Sequence, residues 1–288
     1  MRYFFLLLSA FLLVSCSKDE PKQLKIAVNS WIGYAPVFYA YEKGYLKELN
    51  IKLIPTVSLG ESADIFSVAK VDMLTATQHE VNSLKKSFPS LEPIILIDRS
   101  DGGDMILSNR SIQTLKKSKK IYVYLEIDSI NKEMIQHFTK YYHLNSKNMI
   151  YINKDQSQIQ DIQYSDKKDI LIVTYIPYDT KLKSIGFKEI SSTKNIKSIL
   201  VVDAICTTLE LVQNDKEKFN KFKLLIDKSI KEIDNDPKLS YNLTKKYLNN
   251  ITFEEYTDSM KSIKWINQPS DALLLELEKI HYLEKNLI

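Results

Sequence analysis

The sequence predicts an α/β fold in two lobes, and three observations carry that reading. From Leu24 onward, short β-branched runs alternate with amphipathic helical patterns, as expected of strands joined by crossover helices. The alternation pauses near Asn109 and then starts afresh. Beyond Cys206 only helical patterns remain.

The first set opens with the strand "LKIAVN" at 24–29. Pro36 starts a helix that runs to Lys43 and stops at Gly44, since proline suits a helix start and glycine its end. "IKLIPT" at 51–56 is the second strand; a turn at Gly60 leads to a helix over about 61–70, and "VDMLTA" at 71–76 is the third strand. A helix over about 78–87 and the strand "PIILID" at 93–98 complete the set. Strands joined in this way lie parallel, with right-handed crossovers. The second set comprises "KIYVYL" at 120–125, a helix over about 131–142, "MIYIN" at 149–153, a short helix, "DILIVTY" at 169–175, and a helix opened by Pro177 and ended by Gly186. "SILVVDAI" at 198–205 then returns the chain. Phe219, Phe222, Leu225, Ile226, Ile230 and Ile233 share one helical face, which reads as core. Lobe 1 is therefore expected at 24–108 plus 203–288 and lobe 2 at 109–202, with a hinge of two crossing strands near Ser108–Arg110 and Ser198–Val202.

The N-terminus belongs to neither lobe. Met1 and Arg2 give a positive start, and Tyr3–Leu13 an apolar run too short to span a bilayer comfortably. Residues 1–16 thus read as a secretory signal ending in Leu13-Val14-Ser15-Cys16, which resembles the lipobox of bacterial lipoproteins. That resemblance implies acylation of Cys16, with palmitate-type chains holding the protein at a membrane, at the periplasmic or cell-surface side. Residues 17–23, "SKDEPKQ", read as a polar tether.

Composition removes several function classes. Lys plus Arg exceed Asp plus Glu by only 4, so no nucleic-acid partner is indicated. With Cys16 acylated, Cys206 is the one remaining thiol and no internal disulfide can form. Neither G-x-x-x-x-G-K-[ST] nor G-x-G-x-x-G occurs, and the four histidines are scattered, so no cofactor and no metal site is expected. No G-x-S-x-G elbow is present.

The stretch "NSWIGYAPVFYAYEKGYL" at 29–46 concentrates scarce residues: one of 2 tryptophans and two of 6 glycines. It follows the carboxyl end of the first strand, where open α/β sheets bind ligands. Trp31 and Gly33 there suit either a ligand wall approached closely by the backbone or a cap on the core and a turn. "NSWIGYAPVFYAYEKGYLKELNIKL", followed by "VDMLTATQHEVNSL" and "DRSDGGDMILS", resembles the substrate-binding proteins of ABC importers in the nitrate, sulfonate, taurine and thiamine-precursor group (NMT1/THI5-like), of the lipoprotein type. The likeness spans most of the mature chain, although Val71 stands where that group usually keeps a glycine, and the second lobe diverges.

This resemblance implies a type II periplasmic binding protein fold, a small-molecule ligand, an ABC permease as membrane partner, a monomer, and no enzymatic activity. On that basis Trp31 and Tyr34 are the expected aromatic walls. Thr77 and Gln78, at a helix start, suit either a contact or an N-cap; free amides at such a start would favour an anion. Asp101, Gly102 and Asp104 form a tight turn that is either a hairpin or bulge between strands or a ligand contact whose carboxylates would repel a sulfonate and favour an amine or a ring N–H. Arg99 would either clamp a ligand or pair with Asp101. From the second lobe come Glu126, Ser129 and Tyr175, with Asp203 at the returning crossover as a further candidate, each suiting either a contact or a helix cap. An enzyme on the same fold, of thiamine-pyrimidine or menaquinone-type biosynthesis, and a solute sensor are the other classes. The first conflicts with the secretion signal and lacks the cysteine-rich motif of the pyrimidine synthases.

Overall fold

The computed structural model describes residues 22–196, 198–266 and 268–283. The signal, the lipobox with Cys16 and most of the tether lie outside the described residues. Among those described, no helix is long and apolar enough to cross a membrane.

The strands are β1 (Leu24–Asn29), β2 (Ile51–Thr56), β3 (Met73–Ala76), β4 (Leu91–Ser100), β5 (Asp104–Ser108), β6 (Ile121–Leu125), β7 (Met149–Asn153), β8 (Asp169–Tyr175), β9 (Lys188–Ser192), β10 (Val202–Thr208) and β11 (Ile263–Trp265). They form two sheets, in the orders β11-β4-β10-β3-β1-β2 and β7-β6-β8-β5-β9. Pairs made within a βαβ unit are parallel, as the alternating pattern predicts: β1 with β2 and β3, and β6 with β7 and β8. The edge strand β11 lies antiparallel to β4, and β5 and β10 are the other exceptions. Each arrives from the opposite sheet and inserts between two strands, antiparallel to both.

That insertion corrects the expected hinge. Asp104–Ser108 pairs with β8 and β9, so the chain's first run through the first sheet ends at Ser100, not at Ser108. The crossing lies at 101–103, where the glycine pair lets the chain turn; Gly102 has φ +118°, a left-handed conformation natural for glycine. The return crossing runs over 193–201. The two are laced together: the Gly102 N–H donates to Thr193 Oγ1 at 2.8 Å, the Thr193 N–H to the Asp104 carbonyl at 3.0 Å, and the Ser100 N–H to the Val201 carbonyl at 3.0 Å. Two short strands, β9 and β11, were not expected; three to five residues at a sheet edge leave too little alternation to read. Cys206, expected to begin the helical third, lies inside β10 and is buried.

Helices cover the sheets by burying apolar stripes. Lys216–Asn235 buries Phe219, Phe222, Ile226, Ile230 and Ile233, the predicted face, against Ala35–Glu42. Each such side chain, removed from water, contributes about 1.5–3 kcal/mol. Ala35–Glu42 itself has buried residues from Ala35 to Ala40, because both Lys216–Asn235 and Pro237–Thr244 pack on it. The last described segment is tied to the first sheet by the Tyr282 hydroxyl, which donates to the Ala76 carbonyl at 2.9 Å at the end of β3.

Candidate functional site

The first-sheet strands β1 and β3 deliver Asn29 and Thr77 at their carboxyl ends, and the loop after β1 delivers Trp31 and Tyr34. The second sheet presents Asp104 at the start of β5 and Tyr175 at the end of β8. These six, with Leu59, Ile130, Val201 and Asp203, line one cavity between the sheets, with a water-accessible space of about 10 Å³. A space of that size holds about one water, so the two halves are closed upon each other.

Trp31 is the centre of this contact. Its ring meets Tyr175 edge-on, with centroids 5.8 Å apart and planes at 89°. Its N–H points at Asp98, 3.3 Å from Oδ1 and 3.4 Å from Oδ2. Both neighbouring glycines are explained by the indole. A Cβ on Gly33 would lie 2.1 Å from Asp98 Oδ2 and 2.3 Å from Trp31 Nε1, and one on Gly103 would lie 2.4 Å from Trp31 Cη2. The ring therefore fits only because two residues in contact with it lack side chains. Across the cleft, Asn29 Nδ2 donates to the Tyr175 hydroxyl at 3.1 Å.

The cavity is electrostatically one-sided. Asp98 on β4 is the cross-strand partner of Asp203 on β10, and like charges so placed repel. Both are buried, as is Asp104. Asp203 accepts a hydrogen bond from the Tyr34 hydroxyl. Burial, and then the charges of Asp98 and Asp104, push the Asp203 carboxyl well above the usual range. Burial likewise raises Asp98, with Asp104 adding to the effect and the Trp31 N–H opposing it. Asp104 is pushed up by burial to about 7. The Tyr34 phenol is raised by burial and by Asp203.

The free amides that would suit an anion are already used. Glu80 completes a capping box with Thr77: its Oε2 accepts from the Thr77 N–H at 2.9 Å and from Thr77 Oγ1 at 2.6 Å. Its Oε1 reaches across the cleft to the Ile130 N–H at 3.2 Å, at the start of the second-lobe helix Ile130–Tyr141. His79, beside it, pairs with Glu133 of that helix at 2.8 Å.

Of the residues expected from sequence, Trp31, Tyr34, Thr77, Asp104 and Tyr175 converge on the cavity, and so does Asp203. Thr77 is both a cap and a lining residue. Asp101 and Gly102 are instead in the hinge turn, where Asp101 pairs with Lys264 at 2.8 Å; that bond holds its carboxyl below the usual range. Arg99 is exposed on β4, away from the lining. Gln78 turns from the cavity and donates to the Leu200 carbonyl of the return crossing. Ser129 caps Ile130–Tyr141, accepting from the Asn131 N–H at 3.2 Å. Glu126 is buried at the cleft's outer rim, accepts from the Gln156 N–H at 3.0 Å, and is raised by burial to about 8. Sequence reasoning missed Asn29, Asp98 and Glu80. Asn29 and Asp98, each a polar residue ending an apolar strand run, carried the signal that could have found them.

The sequence model described as NMT1/THI5 like matches residues 31–240, well over half of the chain. The chain belongs to the NMT1/THI5-like family. No curated protein sequence matches it. Solved structures similar to this family member include the alkanesulfonate-binding protein SsuA from Xanthomonas axonopodis pv. citri bound to MOPS, at 11% identity and TM-score 0.72 over 92% of this chain and 96% of that one. The ligand binding component of an ABC-type import system from Staphylococcus aureus, with zinc bound, is 13% identical with TM-score 0.69, covering 92% and 94%. The periplasmic nitrate-binding protein NrtA from Synechocystis PCC 6803 is 10% identical with TM-score 0.65, covering 81% and 68%. At these identities the likeness establishes the fold, the two-lobed periplasmic binding protein architecture, for this NMT1/THI5-like chain.

Proposed function

We propose that this protein is the solute-capturing component of an ABC-type importer: a clamp that closes on one small molecule against Trp31 and delivers it to a membrane permease. The observation that carries this reading is the cavity itself. It is lined from both sheets, and among the described residues two laced chain crossings join those sheets, so the halves can part about 101–103 and 193–201 and meet again across the indole. We assign the lobes as 24–100 with 202–283, and 104–192. The Leu13–Cys16 motif supports acylation at Cys16 and a tethered receptor outside the cytoplasmic membrane. The aromatic wall and the Tyr34–Asp203 pair suit capture, with release to a partner, in place of chemical conversion.

Trp31 gives a direct test. In a Trp265→Phe variant the emission comes from Trp31 alone, because the chain holds only 2 tryptophans. A bound solute from a panel of sulfonates, nitrate, pyrimidines, polyamines and urea derivatives is expected to shift that emission and raise the melting temperature together, since a ligand bound only by the folded state stabilises it. A solute that stabilises the protein without altering Trp31 emission places the site elsewhere; no response across the panel contradicts solute capture.

A further inference from the structure

We infer that the captured solute is a small organic cation that presents at least two N–H donors, an ammonium or an amidinium, to Asn29 and Asp104. This rests on the solute-capture reading and adds its charge class. Two lining atoms have no hydrogen-bond partner although both are buried: Asn29 Oδ1 and Asp104 Oδ2. Both residues line the cavity, one from each sheet; Asn29 Oδ1 is an acceptor, and Asp104 Oδ2 is one when its carboxyl ionises as a cation enters. A buried acceptor without a donor is costly, and a ligand that donates to each removes that cost on closure.

Everything around these two atoms points the same way. Among the described residues no lysine, arginine or histidine lines the cavity. Asp98, Asp104 and Asp203 surround Trp31 and Tyr34 with carboxyl groups whose ionisation burial opposes, so a cation that enters as they ionise supplies the missing counter-charge. The position an anionic solute would need, at helix N–H groups facing the cleft, is filled by Glu80. The Trp31 and Tyr175 rings add favourable faces for a cation. The outer rim continues the pattern: among its described residues Glu61 and Asp64 from one side and Glu126, Asp128 and Asp155 from the other outnumber Lys154, a field that draws cations inward. A bare metal ion fits poorly, since among the described residues no three His, Cys, Asp or Glu side chains are placed to hold one.

The test uses the full-length protein in detergent and a small-molecule bacterial extract divided by ion exchange at neutral pH into cationic, neutral and anionic fractions. The cationic fraction alone is expected to raise the melting temperature. In Asp104→Asn the fraction must be roughly 30-fold or more concentrated for the same shift, as expected for loss of one member of a buried charged contact. Asn29→Leu, which removes the other acceptor, gives the same reading if Asp104→Asn does not fold. Stabilisation by the anionic or neutral fraction only, or an undiminished cationic shift in both variants, overturns the charge assignment while leaving solute capture intact. No shift with any fraction overturns both.

Discussion

Alanine at position 33 is expected to lower the melting temperature by about 6–12 °C and to abolish solute binding. The added Cβ would fall between Asp98 Oδ2 and Trp31 Nε1, at 2.1 and 2.3 Å, so the carboxyl and the indole must separate. Separation costs the overpacking strain and leaves a buried carboxyl without its donor, about 3 kcal/mol in all. For a chain of this size each kcal/mol corresponds to about 2–4 °C. Gly44→Ala is the control. Gly44 has φ +81° and nothing within 4 Å of an added Cβ, so it incurs only the backbone term of about 1–2 kcal/mol. Thermal unfolding of the two variants should rank Gly33→Ala well below Gly44→Ala. Equal melting temperatures would mean that the indole is not seated against Asp98.

The empty protein is expected to become more stable as pH falls from about 8 to about 5, the reverse of ordinary acid destabilisation. The sign follows from the direction of the shifts. Asp98, Asp104, Asp203 and Glu126 have folded values raised above their unfolded ones, so the native state holds more protons than the unfolded state in between. Their contribution is complete below the unfolded carboxyl range near 4 and is lost as pH rises through the folded values. For Asp104 and Glu126 those are about 7 and about 8. Each unit of separation corresponds to about 1.4 kcal/mol, so the loss toward pH 9 amounts to several kcal/mol. Groups held low by ion pairs, Asp101 and Asp215, act in the opposite sense but at more acidic pH, and both are near the surface. Asp203→Asn should flatten the profile, since an amide needs no proton to be neutral. Calorimetric unfolding between pH 5 and 9 decides the matter; a melting temperature that rises steadily with pH would show that these carboxyls ionise freely and face water.

The alternating strand and helix patterns made the layered fold readable because each element's burial imprints its own period on the chain, as in Lys216–Asn235 and its apolar face. The loop after β1 was readable as a site for a different reason. Tryptophan and glycine are scarce here, and placing them together after a strand end has a cost that only a close contact explains. What stayed hidden was pairing between distant segments. Nothing local distinguishes β5, an apolar strand at 104–108, from one that continues the first sheet; its insertion between β8 and β9 is a property of the assembled sheet. Asp101 and Asp104, three residues apart, looked equivalent. One faces Lys264 on the surface and the other the cavity, because the Gly102–Gly103 turn lies between them. Glu80 was read over as part of a helix start, whereas its second oxygen spans the cleft to Ile130.

The most direct measurement is a distance across the cleft mouth. Asp64 and Gln158 line opposite sides of it and are exposed, and Cys206 is buried, so paramagnetic labels can be placed at Asp64→Cys and Gln158→Cys in a Cys16→Ser background. Without solute, pulsed dipolar spectroscopy should find a long separation alongside a short one, and the cationic extract fraction should collapse the distribution onto the short distance. A single separation that no solute alters would mean that the two halves form one rigid body and that Trp31 is core.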